Sequence, residues 1–280
     1  MNRPVPPDPW SALRARTPAR IAIGRSGASL PTREVLAFSL AHAQARDAVH
    51  TPFDARGVAE AIEALDLAAV QVDSAAGDRA TYLRRPDLGR RLCDASRIAM
   101  ASRRGPCDLA IVVADGLSST AVHAHAAPLI AALLPFARAE GWSLAPVTVA
   151  GQARVALGDE VGELLGARLV LLLVGERPGL SSPDSLGAYL TFQPRVGRTD
   201  AERNCVSNIR AEGLSYQAAA FRIAWLARAA LRLGLTGVDL KDDSDLEALA
   251  APATGTPALR PAGDSPLTAA PPSRPPGEFP

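Results

Sequence analysis

Leu109-Ala-Ile-Val-Val-Ala114 runs directly into Asp115-Gly-Leu-Ser-Ser119 and then into an alanine-rich helical stretch. Apolarity that is continuous rather than alternating marks a strand covered on both faces. Leu169-Val-Leu-Leu-Leu-Val174 repeats the pattern more strongly, is approached through a helical segment over 159–165, and closes in Gly175-Glu-Arg-Pro-Gly179. A strand over 146–150, a further one over 189–192 and a long helix over 215–233 without internal Gly or Pro extend the series. Strands alternating with helices predict an α/β fold, a Rossmann-like doubly wound parallel sheet over residues 106–248. Pro128 and Pro135 are expected to break the helical region after Ser119 into pieces. In such sheets ligands sit in loops at the carboxyl ends of strands, so 115–119 and 175–179 mark the expected site edge.

Outward from this core the texture changes. Residues 1–105 read as a helical N-terminal domain with roughly the first nine residues mobile. Ala55, Val58, Ala59, Ile62 and Leu65 fall on one helical face. Another helix is expected from Thr32, as N-cap, toward His50, and a third from about Asp87 to Ser102. No strand is expected there beyond a short stretch over 20–23. Residues 249–280 form a Pro/Ala-rich tail, nine of its last thirty residues being proline, which is expected to be disordered.

The 280 residues suggest about two domains, and a 48% hydrophobic content with only 4% aromatics implies a core of Ala, Leu, Val and Ile. A net charge of +1 provides no global field for nucleic acid or an anionic membrane. Lys241 is the sole lysine, so a Walker phosphate loop is excluded and a Schiff-base lysine would have to be that residue. Cys93, Cys107 and Cys205 are too widely spaced for a disulfide framework or a cysteine-rich zinc site. The Pro-rich start is not patterned as a signal peptide, and the longest aliphatic run is far short of the roughly 20 residues of a membrane span. A soluble, cytoplasmic protein is expected.

Individual motifs are less decisive. His123 and His125, two apart on a helix, point roughly 200° from each other and cannot share a metal. A structural or surface role is favoured for them, as for His42 and His50. Gly24-Arg-Ser-Gly27 reads as a simple turn. The segment 115–119 could present backbone N–H groups to an anion, or Ser118 or Ser119 could simply cap the helix. In 175–179, a Glu-Arg pair between glycines after a buried strand is either a ligand loop, with Glu176 accepting hydrogen bonds, or a turn. Alone, Cys205 reads as a buried small apolar residue.

Taken together, six segments resemble the small (light) subunit of ethanolamine ammonia-lyase. They are Asp8-Pro-Trp10 with Thr17-Pro-Ala-Arg-Ile-Ala-Ile-Gly-Arg25, Tyr82-Leu-Arg-Arg-Pro-Asp-Leu-Gly-Arg90, Val113-Ala-Asp-Gly-Leu-Ser118, Gly151-Gln-Ala-Arg-Val155, Leu173-Val-Gly-Glu-Arg-Pro-Gly-Leu180 and Asn204-Cys-Val-Ser-Asn-Ile209. They occur in the family's order and cover roughly residues 8–245. The resemblance implies one half of a lyase that converts ethanolamine to acetaldehyde and ammonia by an adenosylcobalamin radical mechanism. Ethanolamine would be bound in the large subunit, and this chain would cover the cobalamin at the interface. Its cofactor contacts carry over to Val155, Glu176 and Cys205, with no catalytic residue and no metal ligand in this chain, because cobalt would keep its own base. The resemblance also allows a bacterial microcompartment as the enzyme's location. The rival expectation is a non-catalytic assembly or targeting subunit that tethers the large subunit to a shell or scaffold through its N-terminal segment, with Trp10 and Leu13 on a short amphipathic helix over 10–16.

Overall fold

The computed structural model describes residues 10–17 and 19–245, so the expected mobile start and the tail lie outside the described residues. Eight α-helices and six strands are found among them: α1 (Ser11–Arg14), α2 (Thr32–His50), α3 (Ala55–Glu63), β1 (Ala69–Asp73), α4 (Arg79–Arg84), α5 (Asp94–Ala101), β2 (Cys107–Ala114), α6 (Ser119–Ala139), β3 (Val147–Gly151), α7 (Leu157–Leu165), β4 (Ala167–Gly175), β5 (Leu186–Phe192), β6 (Asn204–Ile209) and α8 (Tyr216–Leu233). The strands form one sheet in the order β1-β3-β2-β4-β5-β6.

Helices cover both faces, as the continuous apolar runs require. On β2 and β4, Leu109, Ile111, Val113, Leu169, Leu171 and Leu173 pack toward α3, α6 and α8. Their alternates Ala110, Val112, Ala114, Val170, Leu172 and Val174 pack toward α5 and α7. The fold is therefore α/β with three layers.

The sheet is mixed rather than all parallel. β1, β3, β2 and β4 are parallel, but β5 runs antiparallel to both of its neighbours. The cause is loop length. A parallel return needs a crossover of about a dozen residues or more, usually a helix, whereas residues 176–185 form only a tight connection closed by Gly179 and Ser182.

Two expectations about helices also fail. Residues 10–105 contain β1, which extends the same sheet beside β3, while 20–23 forms no strand. β1 is short and alternates apolar with polar, the pattern of an edge strand. The helix expected from Asp87 splits into a 3₁₀ turn at Leu88–Arg90 and α5.

α6 passes unbroken through Pro128 and Pro135. The prolines sit seven apart on the exposed face, and the carbonyls they leave unpaired belong to Ala124 and Ala131, which are also exposed. Water can satisfy those carbonyls, while Leu129, Ile130, Leu133 and Leu134 stay buried on the other face. α6 is the single described helix long and apolar enough to cross a membrane by length and composition, and here its apolar face builds the core.

α3 buries Val58, Ala59 and Ile62 as its stripe predicts. α2 forms where expected, with Pro31 rather than Thr32 at the N-cap, but Val35, Leu36, Phe38 and Leu40 are exposed and only Ala48 is buried.

Candidate functional site

The site grows from two backbones pressed together at the carboxyl edge of the sheet. A Cβ on Gly116 would lie 2.2 Å from the Gly175 carbonyl oxygen, and one on Gly175 would lie 2.1 Å from that of Ser118. Leu117 N–H donates to the Gly175 carbonyl at 2.9 Å, and the Ser118 hydroxyl donates to the Pro183 carbonyl at 2.8 Å. These glycines serve loop-to-loop contact, and Gly116 also needs its positive φ of 57°. Ser118 caps α6 by accepting from the Ala121 N–H at 3.2 Å.

Beneath that junction Asp115 is fully buried. Its carboxylate accepts from the Ala153 N–H at 2.9 Å and from the Arg79 guanidinium at 3.2 Å. Burial nevertheless dominates these hydrogen bonds and pushes its pKa from 3.8 up to about 6. Arg79 also donates to the Val49 and Gly116 carbonyls, and it stands 4.8 Å over the ring of buried Tyr82. Arg154 stands over the same ring at 4.4 Å and donates to the Tyr82 carbonyl at 3.0 Å. Burial, followed by the Asp115 charge, raises the Tyr82 phenol to about 12, so it remains protonated at neutral pH.

Tyr82 and Arg154 form one wall of a cleft of about 420 Å³ that Val155, Glu176 and Tyr189 also line. Val155 enters from the loop ahead of α7 and Glu176 from the loop after β4. The Ser185 hydroxyl donates to the Glu176 carboxylate at 2.5 Å, and the Asn208 N–H approaches the same oxygen at 3.4 Å. Glu176 folds so closely over Gly187 that a Cβ there would meet its Oε1 at 2.9 Å.

Cys205 is on β6, directly across from Tyr189. It is exposed, contrary to the expectation of a buried apolar residue. On β6, Val206 and Ile209 point into the α8-side core, so Cys205 and Ser207 take the opposite face, where both are exposed. Burial of the sulfur raises the thiol pKa and the Glu176 charge raises it further, outweighing the hydrogen bond with Tyr189 that lowers it, so the thiol is neutral near pH 7. Burial likewise raises the Tyr189 phenol. Val155, Glu176 and Cys205, far apart in sequence, are thus gathered around Tyr189 on the α7 side of the sheet.

Arg79, Tyr82, Arg154, Tyr189 and Ser185 were not singled out from sequence. Scarcity was the available signal: of three tyrosines, two line the cleft and Tyr216 hydrogen-bonds His125 at 2.8 Å. His123 and His125 are structural, whereas His42 and His50 are exposed on α2. His123 stacks on Phe53 and accepts from the Asp54 N–H, while buried His125 also reaches Asp184 at 3.4 Å. The turn expected over Gly24 to Gly27 lies instead at Gly27 and Ala28, closed by Ser26 and Ser29.

The family model described as ethanolamine ammonia-lyase light chain (EutC) matches residues 7–241. This chain belongs to that family. Among proteins named ethanolamine ammonia-lyase small subunit, that of Xanthomonas campestris pv. campestris (strain ATCC 33913) is 57% identical, covering 88% of this chain and 92% of that protein. The one from Azotobacter vinelandii is also 57% identical, over 88% and 93% respectively. That of Ralstonia nicotianae is 56% identical over the same shares. The six motifs lie within the family match, and the Tyr82–Arg90 and Gly151–Val155 motifs supply the stacked Tyr82–Arg154 wall of the cleft.

Proposed function

We propose that this chain is the small subunit of an adenosylcobalamin-dependent ethanolamine ammonia-lyase and forms one wall of its cobalamin site, the large subunit supplying the other wall and binding ethanolamine. Membership of the light-chain family over residues 7–241 carries this reading. The cleft fits the ligand chemically. A corrin presents an apolar macrocycle ringed by amide side arms. Val155, Leu117 and Val174 offer apolar contact, and Glu176, oriented by Ser185, keeps acceptor capacity for amide N–H groups. The neutral thiol of Cys205 extends the surface beyond Tyr189 without adding charge.

Bound adenosylcobalamin supplies the radical chemistry that this deamination requires. The residues of this chain hold and orient the ligand. Protonated Tyr82 braces Arg154, the glycine junction fixes Glu176 relative to β2, and the apolar lining keeps water from the covered face. The test is reconstitution with the large subunit and adenosylcobalamin, following both cofactor retention and acetaldehyde release. Neither is expected from the large subunit alone, and turnover without this chain would remove the proposal.

A second reading, assembly or targeting through the N-terminal segment, is favoured by one observation. Trp10 and Leu13 on and beside α1 are 63% and 44% exposed, and the apolar residues of the first half of α2 are exposed as well. Removing residues 1–17 separates the roles: retained turnover with lost localisation would assign that segment to targeting.

A further inference from the structure

Beyond the cleft, across Arg154 and Val155, lies a larger cavity of about 740 Å³ that shares those two residues as a common wall. Its lining carries six arginines against three carboxylates, in a chain whose net charge is only +1. All three carboxylates are already engaged: Glu160 with Arg97 and the Leu92 N–H, Asp200 with Arg203, and Asp87 with Arg85. Arg97, Arg198 and Arg203 are held in ion pairs, Arg203 with buried Asp159. The Arg90 and Arg91 side chains form no hydrogen bond or ion pair among the described residues, and Arg154 pairs with no carboxylate there. The Nε atoms of Arg154 and of nearly fully buried Arg203 lack a partner there as well. The two buried N–H donors are unfavourable without an acceptor, and the exposed Arg90 and Arg91 beside them add positive charge that favours an anion as that acceptor.

We infer that this basin binds the phosphodiester of the cofactor's nucleotide arm, with Arg154, Arg90 and Arg91 as its ligands, while the macrocycle occupies the neighbouring cleft. The inference rests on the cobalamin reading and deepens it. One ligand that joins an apolar ring to a single anionic group on a side arm would use both cavities across their common wall. Arg154, braced on Tyr82, is the residue able to serve each of them.

The test compares hydroxocobalamin with aquacobinamide, which has the corrin ring but lacks the phosphodiester nucleotide arm, by equilibrium dialysis against the complex of this chain with the large subunit. Arg90→Gln/Arg91→Gln alters exposed side chains that make no hydrogen bond or ion pair among the described residues, Arg91 acting only through its charge on exposed Asp87, so folding is not at risk. Arg154→Lys keeps a positive charge and removes the forked donor. Each variant is expected to weaken cobalamin binding about tenfold or more and to leave cobinamide binding within about twofold of the native complex. Equal losses for both ligands, or no loss for cobalamin, would overturn the assignment. Weakened association of the subunits with unchanged affinities in the assembled fraction would give the basin to an acidic surface of the large subunit and also overturn it. A native complex that binds neither ligand would instead bring down the cobalamin reading itself.

Discussion

Asp115 gives the sharpest physical prediction, because burial opposes its ionisation even with Arg79 at 3.2 Å. Its pKa is about 6 in the folded chain against 3.8 for the unperturbed side chain. Below about pH 4 the carboxyl is protonated in both folded and unfolded states and has no pH-dependent effect. Between about pH 4 and 6 the unfolded chain ionises while the folded one keeps its proton, so stability falls as pH rises. Above that window the full difference applies: roughly two pK units at about 1.4 kcal/mol each, or about 3 kcal/mol. Asp115→Asn keeps an acceptor for the Ala153 N–H but cannot ionise. Urea unfolding of both proteins between pH 4 and 7.5 should therefore show the stability of the variant rising relative to the parent by about 3 kcal/mol as pH increases. A difference that stays flat within about 0.5 kcal/mol would mean that Arg79 and the backbone donors fully compensate burial.

Other consequences are equally direct. Glu176→Ala should weaken cobalamin binding by the assembled enzyme by about 1–3 kcal/mol, and Ser185→Ala should act in the same direction but less, both read by equilibrium dialysis. Gly175→Ala puts a methyl group 2.1 Å from one backbone carbonyl oxygen and 2.7 Å from another, neither able to swing aside, and should cost about 1–3 kcal/mol in urea unfolding. The double change Leu36→Ser and Leu40→Ser, at side chains that are 64% and 61% exposed, should leave the stability of the isolated chain within about 0.5 kcal/mol in the same assay.

The central strands were legible because β2 and β4, buried on both faces, are uninterrupted by polar residues beyond Asp108 and Arg168 near their starts. β5 was placed but not oriented: its direction is set by the short 176–185 connection, a length signal rather than a composition signal. β1 escaped because an edge strand needs only one apolar face and spans just five residues here. The prolines of α6 misled because their cost depends on which face they occupy, which sequence position alone does not reveal. In the site, Glu176 was conspicuous as a charge following a buried strand. Cys205 was misread in isolation because its exposure depends on which face of β6 it takes, and it takes the face opposite buried Val206 and Ile209. The pairing of Tyr82 with Arg154 could not be seen at all, because the two lie 72 positions apart and meet only through the fold.

Plugging the cleft tests its role as a cobalamin wall most directly. Val155→Trp, in complex with the large subunit, would place an indole where the macrocycle is proposed to lie. The expected result is normal co-purification of the subunits, with cobalamin affinity reduced at least about tenfold relative to the native complex. An assembled variant that binds cobalamin as tightly as the native complex would show that the ligand lies elsewhere.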